Sequence, residues 1–125
     1  MLRSVNVLAV DDTPSLLDTI RWVLETDGYS VTTATSYPEA LQLMVERIPD
    51  VVIADVRLKE FNGLGLLIRA RLARPEATLI AVSGFLDEAL AGEARRHNIA
   101  YLLKPFDGPT LLAAIQLQND SLRGV

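Results

Sequence analysis

The sequence predicts one α/β domain built on an open, doubly wound, five-stranded parallel sheet. Five short apolar runs rich in β-branched residues recur along the 125 residues, and longer segments with helical spacing of apolar residues separate them. The resulting order is βαβαβαβαβα with short connections. A parallel sheet with helices on both faces is the usual solution for that order, because each strand must return to the same edge of the sheet.

The five apolar runs have the length and composition of strands that are buried on both faces. They cover residues 5–10, 29–33, 51–54, 78–82 and 100–103. Continuous apolar character, rather than alternation, is typical of central strands in a parallel sheet.

Four of the five segments that follow these runs carry an apolar stripe at helical spacing. The stripes are Leu16, Leu17, Ile20, Val23 and Leu24; Leu41, Met44, Val45 and Ile48; Leu64, Leu67, Ile68 and Leu72; and Leu111, Leu112 and Ile115. The segment 87–98 is mostly alanine and charged residues around Leu90, so we expect its helix to be the least firmly packed. Thr13 and Pro14 fit a helix start, and Gly28 fits the position after a helix end.

Composition limits the class of protein. With 50% hydrophobic residues, we expect a single domain over residues 1–125, with its core at about 5–118 and a short polar tail from Gln116. The absence of cysteine excludes disulfides, a thiolate nucleophile and cysteine-ligated metals. A net charge of −4 argues against direct nucleic-acid binding. No apolar run approaches the ~20 residues that span a bilayer, so we expect a soluble, cytoplasmic protein with no membrane contact.

Polar residues follow four of the five predicted strands. Asp11 and Asp12 follow the first, Asp55 the third, Ser83 the fourth and Lys104 the fifth. Ligands bind at the carboxyl edge of such sheets, so we expect these side chains to meet there. Clustered carboxylates repel one another unless a cation is present, and their oxygens suit magnesium. The ammonium of Lys104 adds a positive charge able to pair with Asp55.

These residues, in this order, closely resemble the receiver domains of bacterial response regulators, and the resemblance extends from Val5 to about Gln118. The matching segments are Val10-Asp11-Asp12, Asp55 after Val52-Ile53-Ala54, Gly63, Ser83-Gly84 and Tyr101-Leu102-Leu103-Lys104-Pro105-Phe106. Each segment alone is weak evidence for the family, but together they are specific evidence, because they occur in the right order and at the predicted strand ends. The resemblance implies the flavodoxin-like (βα)5 topology.

The resemblance also implies how the acidic residues act. Asp55 is expected to be the phosphoacceptor. Asp12, Asp55 and the backbone carbonyl of Arg57 are expected to bind Mg²⁺, or Mn²⁺ in its place, and Asp11 to reach the ion through water. Lys104 is expected to hold the phosphoryl oxygens.

Three further positions receive roles from the same resemblance, and Gly63 receives one from its residue type. Ser83 and Tyr101 are expected to form a switch pair that responds to phosphorylation, and Ser83 to contact the phosphoryl group. The peptide bond before Pro105 is expected to be cis, a form that only X-Pro bonds adopt at low cost. Gly63 is expected to serve a backbone turn.

The implied function is that of a phosphoacceptor in a two-component or phosphorelay system, not a metabolic enzyme. A histidine kinase or a histidine phosphotransfer protein is the expected donor, and slow autodephosphorylation, in which water hydrolyses the acyl phosphate, is expected to remove the phosphoryl group. The face built from the last two helices and the fifth strand is expected to bind a downstream protein or effector domain, or a second copy of the chain.

Three alternatives share parts of this pattern. A phosphatase of the haloacid-dehalogenase type needs a second acid two residues beyond its nucleophile, where this chain has Arg57. A flavodoxin-like cofactor carrier needs a phosphate-binding loop where this chain has Asp11 and Asp12, which repel phosphate. A receiver-like interaction module that is never phosphorylated is disfavoured because every charged group of the pocket is present.

Overall fold

The computed structural model describes residues 5–58 and 61–122, and within them the predicted five-stranded parallel sheet is confirmed. Its strands are β1 (Asn6–Val10), β2 (Ser30–Ala34), β3 (Val51–Asp55), β4 (Thr78–Ser83) and β5 (Ala100–Leu103). Their spatial order is β2-β1-β3-β4-β5, and every neighbouring pair is parallel. The chain therefore reverses its direction of winding after β2, which leaves a crevice at the carboxyl ends of β1 and β3.

Helices cover both faces of this sheet. They are α1 (Pro14–Thr26), α2 (Tyr37–Glu46), α3 (Gly63–Ala73), α4 (Glu88–Arg96) and α5 (Gly108–Leu122). Alternate residues of each strand enter two separate cores: Leu8 and Val52 pack with α2, α3 and α4, whereas Val7 and Ile53 pack with α1 and α5. The strands β1, β3 and β4 are thus buried on both faces, as their continuous apolar character predicted. The same prediction is wrong for the edge strands β2 and β5, which are partly exposed.

Two of the predicted helical stripes are wrong in part. Val45 is 82% exposed and Leu72 is 77% exposed, and Ile48 lies beyond the end of α2. In α3 the buried face instead includes Leu66, which the prediction omitted. Leucine occurs so often along α3 that spacing alone does not select the inward face. Leu72 lies about 200° around the helix axis from the buried Ala70.

Helix α5 is longer than predicted. It continues to Leu122, so residues 116–122, which we assigned to a polar tail, are helical, and residues 123–125 lie outside the described part. Gln118 is buried within this stretch, and its side-chain oxygen accepts hydrogen bonds from the Leu79 amide at 3.1 Å and from Arg71 at 3.3 Å. A polar side chain therefore fixes α5 against the start of β4.

A short antiparallel ribbon, pairing residues 57–58 with 61–62, lies between β3 and α3 and was not predicted. Helix α4 buries only the small residues Ala91 and Ala94, while Leu90 is partly exposed. Within the described ranges no helix combines the length and apolar content that crossing a membrane demands.

Candidate functional site

The carboxyl edge of the sheet brings the predicted polar residues together. Asp11 follows β1, Asp55 ends β3, Ser83 ends β4 and Lys104 follows β5. Strand register fixes their relative heights: Val10 pairs with Ala54, and Asp55 with Val82. Asp11, Asp55 and Ser83 therefore stand at the ends of buried strands, whereas Lys104 follows the partly exposed β5.

The Lys104 ammonium binds two carboxylates at once. Its Nζ donates to Asp11 Oδ2 at 2.8 Å and to Asp55 Oδ2 at 2.9 Å. The Lys104 amide donates to the Ser83 carbonyl at 2.7 Å, and the Lys104–Pro105 peptide bond is cis. Burial alone would lower the pKa of Lys104, but the hydrogen bonds that it donates to Asp11 and Asp55, and the charges of those carboxylates, outweigh burial and leave the pKa above its usual value. The side chain is therefore a fixed positive charge.

The two carboxylates that bind Lys104 are also held by backbone amides. Asp11 Oδ1 accepts from the Thr13 amide at 2.9 Å, and Asp55 Oδ1 accepts from the Arg57 amide at 2.9 Å. Asp11 is only 3% exposed and Asp55 only 7% exposed. Both oxygens of each group are thus engaged, which fixes the orientation of the carboxylates.

A third carboxylate completes an acidic cluster. Asp12 is exposed, and one oxygen from each of Asp11, Asp12 and Asp55 lies within 4.8 Å of the others. Three carboxylates beside one ammonium carry a net negative charge, and all the ligands are hard oxygens. This donor set fits a small divalent cation such as Mg²⁺ or Ca²⁺ and contains no soft ligand.

Gly63 supports Asp55 through the absence of a side chain. Its amide donates to the Val56 carbonyl at 2.9 Å, and a Cβ at this position would collide with the Asp55 carbonyl oxygen. Its backbone is not in the left-handed region, so the turn role that we expected is not the reason for glycine here. The reason is the close approach of α3 to the end of β3.

Ser83 and Tyr101 both bind the main chain of Phe85. Ser83, 1% exposed, donates from Oγ to the Phe85 carbonyl at 2.8 Å and accepts from the Phe85 amide at 3.3 Å. The Tyr101 hydroxyl donates to the same carbonyl at 3.3 Å. The two residues predicted as a pair therefore share one acceptor.

Two aromatic contacts beside the site were not predicted. The Arg57 guanidinium carbon lies 3.9 Å from the centroid of the Phe85 ring. The rings of Tyr37 and Phe61 stack with centroids 5.0 Å apart, which joins the short ribbon to the start of α2. These contacts depend on how separate loops approach one another, and no spacing in the sequence signals that approach.

Comparison with known sequences gives a consistent result. The sequence model of the response regulator receiver domain family matches residues 7–116. The chain is 37% identical over 115 residues to the alginate biosynthesis transcriptional regulatory protein AlgB of Pseudomonas aeruginosa, covering 90% of this chain and 26% of that protein. It thus spans about a quarter of the length of that relative.

Solved structures agree with the sequence comparison. A CheY-like response regulator receiver domain protein from Methanospirillum hungatei matches with a TM-score of 0.89 and 27% identity, covering 98% of both chains. A response regulator protein from Burkholderia pseudomallei matches with a TM-score of 0.85 and 28% identity, covering 97% of this chain and 72% of that one. The Burkholderia structure contains a phosphorylated aspartic acid, a calcium ion and citrate. The resemblance that the strand-end residues indicated is confirmed.

Proposed function

The chain belongs to the response regulator receiver domain family, and from that premise we propose that it accepts a phosphoryl group on Asp55. The observation that carries the proposal is the Lys104 ammonium, bound at once to Asp55 at 2.9 Å and Asp11 at 2.8 Å. A carboxylate beside a fixed cation is suited to receive a phosphoryl group, because the Lys104 ammonium, together with a divalent ion bound by the acidic cluster, would offset the negative charge on the phosphoryl oxygens after transfer. The phosphorylated aspartic acid of the Burkholderia relative supports this assignment.

The transfer needs little from the protein beyond positioning and charge. An oxygen of Asp55 attacks phosphorus in line, and the bond from phosphorus to the donor breaks as the new O–P bond forms. With phosphohistidine as donor, the imidazole nitrogen leaves with the electron pair of the P–N bond. Lys104 then offsets charge on the phosphoryl oxygens.

A divalent ion is the second part of the proposal. Asp12, Asp55 and the backbone carbonyl of Arg57 would hold Mg²⁺ or Mn²⁺, with Asp11 reaching it through water. When bound, such an ion supplies further neutralisation of charge on the phosphoryl oxygens. The acidic cluster within 4.8 Å supports this ligand set, as does the calcium ion of the Burkholderia relative.

Hydrolysis of the acyl phosphate follows from the same arrangement. Water attacks phosphorus, the bond to Asp55 breaks, and inorganic phosphate and a proton are released. Asp55 is nearly enclosed, which restricts the approach of water and supports slow autodephosphorylation. The proposed activity is therefore the transfer of a phosphoryl group to the protein, followed by its slow hydrolysis in the same site, rather than the turnover of a metabolite.

Partner proteins would recognise phosphorylation through a conformational change on one face of the domain. Ser83 would turn to the phosphoryl group and Tyr101 would follow, which alters the surface formed by α4, β5 and α5. We propose a histidine kinase or histidine phosphotransfer protein as donor, and a downstream protein, an effector domain or a second copy of the chain as the reader. AlgB is a transcriptional regulatory protein, but the negative charge of this chain favours no direct contact of its own with nucleic acid.

Intact mass measurement tests the proposal. The parent chain, Asp55→Asn and Asp18→Asn are incubated with Mg²⁺ and acetyl phosphate; Asp18 is an exposed acid on α1 and serves as the matched control. We expect one added phosphoryl group on the parent and the control, none on Asp55→Asn, and none on any protein when EDTA removes the metal. Undiminished labelling of Asp55→Asn would refute Asp55 as the acceptor. A parent that stays unlabelled would favour the interaction module that is never phosphorylated.

A further inference from the structure

Phe85 connects the loops that follow β3 and β4. Its ring lies under the Arg57 guanidinium at 3.9 Å, and its main chain binds the hydroxyls of Ser83 and Tyr101. We propose that this Arg57–Phe85 contact, the clasp, holds Phe85 and through it both hydroxyls in the resting arrangement. The inference rests on the proposed role of Asp55, since the clasp then sets how readily Asp55 is phosphorylated.

The hydrogen bonds make Ser83 and Phe85 interdependent. Ser83 Oγ both donates to the Phe85 carbonyl and accepts from the Phe85 amide, at 2.8 Å and 3.3 Å. Ser83 therefore cannot turn toward a phosphoryl group on Asp55 without losing its bonds to residue 85. Because Ser83 is almost fully buried, water does not readily replace these hydrogen bonds, and their loss costs free energy.

The clasp adds a restraint from the other side of the pocket. Arg57 stands two residues after Asp55, and its amide binds Asp55 Oδ1 at 2.9 Å, so its backbone is fixed relative to the acceptor. The contact of the guanidinium with the Phe85 ring therefore restrains the loop after β4 relative to Asp55. As long as the ring stays against the cation, the Phe85 main chain remains in position to bind the hydroxyls of Ser83 and Tyr101.

The expected effect is small but measurable. Cation–π contacts at exposed sites shift an equilibrium by about two- to fivefold, and the Phe85 side chain is 46% exposed. Loss of the clasp should shift the population toward the arrangement that accepts phosphate by that factor. The rate of labelling by a small phosphodonor should rise accordingly.

The test compares Arg57→Gln, Phe85→Leu and the double variant. Arg57→Gln leaves the backbone carbonyl in place, and Arg69→Gln on α3 is the matched control because it removes the same charge from an exposed position. With Mg²⁺ and acetyl phosphate, we expect each single variant to label about two- to fivefold faster than the parent. The double variant should label no faster than the singles, since both changes remove one contact. A slower Arg57→Gln, additive effects, or an equal acceleration in Arg69→Gln would overturn the proposal.

A second measurement needs no phosphodonor. Amide hydrogen exchange of residue 85, followed by NMR, reports the bond from its N–H to Ser83 Oγ. We expect protection to fall about two- to fivefold in Arg57→Gln and to stay unchanged in Arg69→Gln. Unchanged protection in Arg57→Gln would overturn the clasp. Reduced protection in Arg57→Gln with no labelling of any protein, the parent included, would support the clasp and refute the proposed role of Asp55.

Discussion

Replacement of Gly63 by alanine tests how the fold positions Asp55. The added Cβ would overlap the Asp55 carbonyl oxygen and lie 2.9 Å from the Asp55 carbonyl carbon and 3.3 Å from Val56 Cα. All three atoms belong to the backbone at the end of the central strand β3, so no side-chain rotation relieves the contact. Either α3 or the end of β3 must move.

The size of the effect follows from three contributions. Overpacking against a rigid neighbour costs about 1–3 kcal/mol, and weakening the bond from the Gly63 amide to Val56 costs about 1 kcal/mol more. The lower entropy of the unfolded alanine chain offsets about 0.4–1 kcal/mol. We therefore expect Gly63→Ala to lower the free energy of unfolding by about 2 kcal/mol.

Gly65 provides a matched control in the same helix. A Cβ at Gly65 meets no atom within 4 Å, so Gly65→Ala should gain about 0.4–1 kcal/mol. Urea unfolding of both variants measures the difference, provided that the dependence on denaturant is unchanged. A Gly63→Ala protein as stable as Gly65→Ala would refute the close approach of α3 to Asp55 and the account of why glycine stands there.

Three further predictions concern other parts of the molecule. The carboxylate partners of Lys104 raise its pKa above the ordinary lysine value of 10.5 despite burial. The parent should therefore exceed Lys104→Met in free energy of unfolding by a constant amount below pH 10.5, and this difference should decline as the pH rises through the higher pKa of the folded state. Urea unfolding measured across this pH range checks the prediction, and a difference that grows with pH would contradict it. Gln118→Ala removes the acceptor of the buried Leu79 amide and should cost about 1–3 kcal/mol in urea unfolding, whereas exposed Gln116→Ala should change stability by less than about 0.5 kcal/mol. Gly92→Ala places its Cβ no closer than 3.8 Å to a neighbour, so its melting temperature should rise by an amount equivalent to about 0.4–1 kcal/mol, and a decrease would count against helical packing at this position.

The sheet and the meeting of the polar residues were predictable from the sequence. Buried parallel strands must be apolar on both faces, and this leaves a signal that is independent of tertiary detail. Parallel strands also place all their carboxyl ends at one edge, which predicted that Asp11, Asp55 and Lys104 lie near one another, and the hydrogen bonds from Lys104 to both acids confirm it. Topology, rather than any single motif, made this part of the site predictable.

Other features depended on contacts that local patterns do not encode. Leu66 is buried and Leu72 is exposed. The sequence does not distinguish the two, because the leucine-rich α3 has several faces that could pack against the sheet. Gln118 is buried where its side-chain oxygen accepts a hydrogen bond from the Leu79 amide, 39 residues away in the sequence, and no local pattern signals that contact. The contact of Arg57 with Phe85 joins two loops, and its existence follows only from their three-dimensional approach.

We propose that the acidic cluster and Lys104 together direct a phosphoryl group to one particular carboxylate, that of Asp55. Chemical reduction of the labelled parent chain with borohydride converts an acyl phosphate into a stable product, and peptide mass spectrometry then identifies the modified residue. We predict the modification at Asp55, next to the ammonium that binds it at 2.9 Å. Modification at Asp11 or Asp12 instead would contradict the account.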